Sequence, residues 1–429
     1  MTDLDFRDWT PPPGFVPVPS TLPGIDIYAP APPEEEKKDA QTFRCPQCNG
    51  IIAYDAGDRQ LVCPYCGYKH QVGARVVGLS AERFEFTLEA LDRSEKGWGV
   101  ERKAIRCEAC QAVFNVEGSN LSSTCPFCGS NRVVGHQEMH DFIRPGYIIP
   151  FSVDDKACRD TVKAWLGRGW MYPPELRRVD TISRFVGLYL PFWLFDARIE
   201  SQWKAEVGHE KQKKRYRDGK WESVTVIEWR WEHGRVYVPI RDLLIYGTTR
   251  VSTVLLARLY PFDLRKLCEY DPAYLAGWQA QAYDLQLQPG WEIGKRQMRE
   301  QAKRACYDDI STSHVRNFSM TADFSEERWR YVLLPVYLAT YMFNNQVYHA
   351  MVNGQTGAVA GQKPVAWLRV VLAMALCLTP GTLLGLLGLV LLLVGGIGVF
   401  VLPFALVFFV VGLVASIWIF IQARRADDI

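Results

Sequence analysis

The chain has 429 residues, a net charge of +2 and 22 % charged side chains, with a mean hydropathy of −0.08. Near-neutrality excludes the basic footprint of an ordinary nucleic-acid-binding domain, and the length is ample for a buried core plus smaller modules. These averages conceal segregation, because cysteines gather in the first third and apolar residues at the far end.

Residues 1–40 read as a disordered Pro-rich leader. They hold Pro11-Pro12-Pro13, Pro17, Pro19, Pro23, Pro30, Pro32 and Pro33, then the charge run Glu34 to Lys38. Such a composition buries too little surface to fold alone. The first residues, Met1 to Asp5, lack the basic and apolar regions of a secretory start.

Eight cysteines follow in two copies of one pattern. Cys45-Pro-Gln-Cys48 is followed after 14 residues by Cys63-Pro-Tyr-Cys66-Gly67, and Cys107-Glu-Ala-Cys110 after 14 residues by Cys125-Pro-Phe-Cys128-Gly129. Every ligand of the second copy lies 62 positions after its counterpart. Each C-x2-C knuckle offers two thiolates to one ion, and two knuckles close a tetrahedral S4 shell. The pattern predicts zinc ribbons at 41–75 and 103–137, each holding one structural Zn2+, with a linker at 76–102. Iron in a rubredoxin-like site uses the same ligands. A closed shell leaves no position for a reacting water, so neither metal is expected to be catalytic. Cys158, Cys268, Cys306 and Cys377 are scattered and read as small buried apolar residues.

Residues 141–364 are predicted to form one α+β cytosolic domain with a mainly antiparallel sheet. Ile148 to Phe151 reads as a short strand, with Ser152 capping a helix through Leu166. Pro173-Pro174 starts a second short helix. Strands are expected at Val186–Arg198 and Val224–Ile240, joined by a basic stretch from His209 to Lys220 with Asp218-Gly219 as its turn. A helix pair is placed in 263–310, entered at Asp271-Pro272 and continued by Trp291 to Ile310. Two closing strands, Tyr331–Phe343 and Val347–Val352, meet at Asn344-Asn345. Tyr189-Leu-Pro-Phe-Trp193 and Leu333-Leu-Pro-Val-Tyr337 look alike.

Between Arg369 and Arg424 lie 54 residues without a charged side chain. About 20 apolar residues span a bilayer core, so the region 365–425 reads as a transmembrane hairpin of two helices, Val370–Val394 and Val399–Ile421. Lys363 and Arg369 precede it, Arg424 and Arg425 follow it, and its turn carries no charge. Positive flanks stay cytosolic, which places both ends in the reducing compartment that thiolate ligands require. Gly381-x-x-x-Gly385 permits close helix packing.

Several stretches resemble a bacterial group of TFIIB-type zinc-ribbon membrane proteins, sometimes mislabelled primosomal or helicase-like. They are the paired ribbons, Ile149-Pro-Phe-Ser-Val-Asp154, Gly187 to Asp196, Asp271 to Trp278 and Val352 to Gly357. The resemblance implies partnership with phage-shock-protein-A-like and flotillin-like (SPFH) proteins at the inner membrane during envelope stress. It carries no catalytic residues. The expected role is therefore a membrane-anchored adaptor without enzymatic activity. The alternative is a membrane-tethered nucleic-acid-binding ribbon protein, using basic residues such as Arg44, Arg59, Lys69, Arg102, Lys103, Arg106 and Arg132. No G-x-x-x-x-G-K-[ST] loop is present to support a helicase.

Overall fold

The structure is a computed structural model that describes residues 15–18, 27–30, 43–86, 102–107, 113–117, 125, 133–136, 143–178, 182–217, 220–249, 251–344, 346–395 and 398–427. Residues 1–42 form one unit and 43–429 a second. The described part of the first is an antiparallel ribbon, β1 (Phe15–Val18) paired with β2 (Ile27–Pro30). The rest of the predicted leader lies outside the described residues.

The second unit is α+β, as expected. Two long strands run antiparallel at its centre: β11 (Ile182–Arg217) and β16 (Asp323–Phe343), in register from Ile182↔Tyr341 to Glu200↔Asp323. Their middles carry Leu188 to Phe195 and Trp329 to Tyr337, nearly all fully buried. Aromatic and branched residues suit a sheet buried on both faces. The two look-alike segments pair with each other, Tyr189 opposite Pro335 and Pro191 opposite Leu333. Both prolines sit in central strands, where a missing donor is normally costly. Their carbonyls remain satisfied by equivalent partners: Gly247 N donates to Pro191 O at 2.8 Å, and Gly354 N to Pro335 O at 2.9 Å.

Short strands border this pair symmetrically. β10 (Tyr147–Ile148) lies parallel to β16, and β14 (Gln279–Gln281) parallel to β11. β13 (Cys268–Glu269) continues beyond β10. β17 (Gln346–Asn353) and β18 (Val359–Gly361) complete the β16 side. β12 (Lys220–Tyr246) runs along β11 from Tyr246↔Phe192 to Lys220↔Arg217, and β15 (Val315–Met320) pairs the other edge of β11 as far as Val207. Helix α1 (Asp155–Leu166) buries Cys158, Val162 and Leu166. A short α2 covers Thr253–Arg258, and the long α3, Leu287–Asp309, turns Trp291, Met298, Ala302 and Cys306 inward. The four scattered cysteines divide by place: Cys158, Cys268 and Cys306 are buried, whereas Cys377 lies half-buried in an apolar helix.

Four local expectations change. Asp154, not Ser152, caps α1, its Oδ1 accepting from Ala157 N at 2.6 Å. The backbone N–H groups of Ser152 and Val153 are held by Gly354 O, which delays the helix. The first member of the expected helix pair is only a 3-10 turn, Pro272–Leu275, capped by Asp271. The His209–Lys220 stretch is strand through Arg217 rather than loop. Finally, the strands extend well beyond their predicted limits, because cross-strand pairing continues through residues too charged to announce a strand.

The last two helices, α4 (Trp367–Gly395) and α5 (Gly398–Asp427), pack on each other. Both are long and apolar enough to cross a membrane, with mean hydropathies of 2.2 and 2.8. Their outer faces are exposed, for example at Leu376, Leu393, Phe400 and Phe404, unlike the core helix of a soluble protein. A side chain at Gly381 would meet the Phe409 backbone at 2.5 Å, and one at Gly412 the Cys377 carbonyl at 2.3 Å. The small residues are thus consumed within the hairpin. Its base joins the body directly. Ala366 N donates to Met171 O at 2.8 Å, and Arg369 reaches Tyr172 O at 3.4 Å. The Lys363 ammonium donates to the Trp165 and Arg168 carbonyls while lying 4.1 Å from the Trp165 ring centre.

Candidate metal centre

The first ribbon is a three-stranded antiparallel sheet, β3 (Ala53–Asp55), β4 (Gln60–Val62) and β5 (Lys69–His70). Its two knuckles have the same local build. Asn49 N donates to Cys45 O at 2.8 Å, and Gly67 N to Cys63 O at 3.0 Å. Asn49 and Gly67, each one residue past the second ligand, adopt φ of 57° and 75°. This left-handed step favours Asn and Gly, and it reverses the chain so that both thiols of a knuckle face one point.

The knuckles converge. The sulfurs of Cys45, Cys48, Cys63 and Cys66 all lie within 4.8 Å of one another, with Cys45–Cys66 at 3.5 Å and Cys48–Cys63 at 3.4 Å. A tetrahedral zinc with 2.3 Å bonds requires sulfur separations of about 3.8 Å. Four soft donors at this spacing can therefore hold one metal ion. Backbone N–H groups are also aimed at the sulfurs, those of Cys66 and Tyr65 at Cys63, that of Gly50 at Cys48 and that of Tyr68 at Cys66. Burial raises the Cys63 thiol, but those N–H groups and its thiol neighbours outweigh burial and bring it down to about 6. The Cys66 thiol is pushed up to about 12: its Tyr68 N–H contact lowers it, but burial and the neighbouring thiols together outweigh that pull. Sulfur ligands bind as thiolates, so a cation held in this shell would favour their ionised form. Cys45 and Cys63 are buried, whereas Cys48 and Cys66 are exposed, so one edge of the shell meets solvent.

This ribbon is not a free-standing module. Cys45, Ile52, Tyr54, Ala56, Leu61 and Cys63 belong to one hydrophobic cluster with Phe151, Tyr189 and Tyr337 of the body. Tyr54 N donates to Ala276 O at 3.0 Å, and Trp278 Nε1 returns a bond to Tyr54 O at 2.8 Å. The Tyr54 and Tyr274 rings meet edge-on with centroids 5.2 Å apart.

The segment predicted as the second ribbon joins differently. Its strands β7 (Arg102–Cys107), β8 (Val113–Glu117) and β9 (Val133–His136) form a sheet that extends the central one, through β8 against β14. Cys107 and Cys125 are fully buried. Cys110 and Cys128 lie outside the described residues, as does Arg132 of the basic residues near them. Within the predicted linker, β6 (Phe84–Glu85) pairs with β16 at Trp329 and Arg328.

One charged cluster was invisible to motif reasoning. Where β11 bulges, Asp196 and Asp242 face Arg83 and Arg330. Arg330 is fully buried, and Asp242 holds φ of 55° to reach it. Buried charges demand such compensation, and here it ties the inter-ribbon segment to the sheet. Asp309, at the end of α3, accepts from Trp203 Nε1 at 2.8 Å and so has a structural partner.

The chain is similar to the uncharacterized protein YdjG of Bacillus subtilis (strain 168), with 26 % identity over 332 residues that cover 76 % of this chain and 90 % of the relative. No protein-family model matches the chain, and no solved structure matches it.

Proposed function

We propose that the protein is a membrane-anchored zinc-ribbon adaptor, without enzymatic activity, that holds partner proteins at the bacterial inner membrane. In this reading Cys45, Cys48, Cys63 and Cys66 bind one structural Zn2+, and Cys107, Cys110, Cys125 and Cys128 a second. The α4–α5 hairpin crosses the bilayer, with the ribbons, the body and the C-terminus in the cytosol. Partners of phage-shock-protein-A-like or flotillin-like type, and a role in envelope stress, follow from the resemblance described above. The observation that carries the reading is the direct joint between hairpin and body. Lys363, Ala366 and Arg369 bond to residues 165–172, and no flexible tether intervenes. A rigid joint presents a cytosolic surface in a fixed orientation to the membrane, which suits a scaffold.

The test is mass spectrometry of what co-purifies with the tagged chain from gently solubilised membranes, with absorbance at 260 nm on the same sample. A stoichiometric protein partner free of nucleic acid is the expected result. Nuclease-sensitive absorbance without a protein partner refutes the reading. Cys45→Ser with Cys48→Ser is expected to abolish partner retention while leaving membrane insertion intact.

A further inference from the structure

β11 begins beside the base of the apolar hairpin. Ile182 pairs with Tyr341, whose hydroxyl donates to Gln362 O next to Lys363. From there the strand runs 36 residues to Arg217, on the order of 100 Å at about 3.3 Å per residue. The tip of the β11–β12 hairpin and the membrane-spanning helices therefore sit at opposite ends of one strand. The basic stretch is thereby held away from the headgroups of the membrane in which the chain is anchored.

The far end of this arm has three properties together. It is basic, since residues 211–221 hold six Lys or Arg and one acidic residue in a chain of net charge +2. The remainder of the protein is thus net acidic. Lys211 is paired to Glu228 at 3.2 Å, whereas Lys213, Lys214 and Arg215 have no ion-pair partner among the described residues. Secondly, the arm has an open edge. β15 stops at Val315, opposite Val207, and Gly208 N donates to His314 O at 2.8 Å. Among the described residues, β11 is paired beyond that point only to β12, in a two-stranded ribbon of a kind that is marginal in water. Thirdly, an aromatic pair stands at the tip. Tyr216 and Trp221 pack edge to face at 5.1 Å and are 60 % and 69 % exposed. Exposed Tyr and Trp beside cations are favoured anchors of protein interfaces.

We propose that this distal end docks an acidic, extended segment of a partner protein, added as a strand to the β11 edge at residues 209–216, in line with β15. The inference rests on the adaptor reading and names the chemistry of its cargo. Backbone bonding would supply affinity, and carboxylates alternating along the added strand would meet Lys211, Lys213 and Arg215, which share one face of β11. Edge lysines otherwise repel unspecific strand addition, so an acidic strand is selected over a neutral one.

The experiment uses the full chain in nanodiscs of zwitterionic lipid and a fluorescent dodecapeptide alternating Glu with Thr. A peptide alternating Glu with Pro has equal charge but cannot pair as a strand. We expect the Thr peptide to bind at least about tenfold tighter than the Pro peptide, and the triple variant K213E/K214E/R215E to lose about tenfold or more. The charge-conserving K213R/K214R/R215K should retain binding. Equal affinity for the two peptides, or no effect of the charge reversal, overturns the proposal. So does tighter binding of a short duplex DNA, or of phosphatidylserine vesicles, that the charge reversal abolishes. A charge-reversed chain that keeps its membrane partner overturns the arm as docking site and leaves the adaptor reading standing. A wild-type chain with no protein partner overturns the adaptor reading, whatever the peptides do.

Discussion

If the first ribbon shares its core with the body, a residue at their junction should govern the stability of both. Tyr54 is the sharpest probe. It is 3 % exposed, its ring packs on Tyr274 at 5.2 Å, and its hydroxyl lies 3.5 Å from Phe151 O. Burial pushes its phenol well above the ordinary value of 10, so it remains a donor at every working pH. Tyr54→Ala leaves the four ligands in place but empties an aromatic-sized volume, at a cost of about 3–5 kcal/mol. In a domain of this size each kcal/mol moves the melting temperature by about 2–4 °C, which predicts a fall of about 6–20 °C. The control is Tyr65→Ala on the same ribbon, where the side chain is 76 % exposed and the change should stay within about 2 °C. Thermal unfolding in detergent, followed by tryptophan fluorescence, reads both, with metal content measured on the same samples. A Tyr54→Ala shift no larger than that of Tyr65→Ala would show that the ribbon is an appendage, and the shared-core argument would fail.

Metal analysis of the purified chain should give two zinc ions, falling to one in Cys45→Ser/Cys48→Ser and to one in Cys107→Ser/Cys110→Ser; an unchanged count in either variant removes that ribbon from the ligand set. Because thiols must lose protons to bind metal, protons and zinc compete for the four sulfurs, and zinc release to a chromogenic chelator should rise steeply as the pH is lowered. Partial desolvation lowers the otherwise exposed His349 below its ordinary 6.5, so the unfolded chain takes up that proton first and stability should fall slightly as pH drops below 6.5; His349→Gln is expected to flatten this slope in pH-dependent melts. Gly381→Leu would drive a side chain into the Phe409 backbone, and slower migration of the variant in SDS gels should report a splayed hairpin.

Much was legible in the sequence because some constraints are local. Thiolate pairs at C-x2-C spacing must turn within four residues, and the left-handed Asn49 and Gly67 are part of that turn. An uncharged run long enough for two helices needs no tertiary context to be recognised. The α+β class and the closing strands followed from alternation. The caps were harder. Ser152 is a good capping residue, but Gly354, some two hundred positions away, had already claimed the local backbone. Asp271-Pro272 marks a helix entry, yet the chain makes one 3-10 turn because Tyr274 and Leu275 are buried at once.

By itself, the sequence determined the ligand types, their pairing into knuckles, the apolar span and the charge balance, since each depends on residues close together along the chain. Only the tertiary structure decided that the first ribbon buries Tyr54 in the body, that the second adds its strands to the sheet through β8, and that Arg83, Asp196, Asp242 and Arg330 meet at one bulge. It also decided that a basic stretch expected as a loop is the far end of a strand that starts beside the base of the apolar hairpin. Those outcomes depend on backbone pairing and burial between residues that are in several cases more than two hundred positions apart. Such contacts are set by which surfaces exclude water together, and no local spacing encodes them.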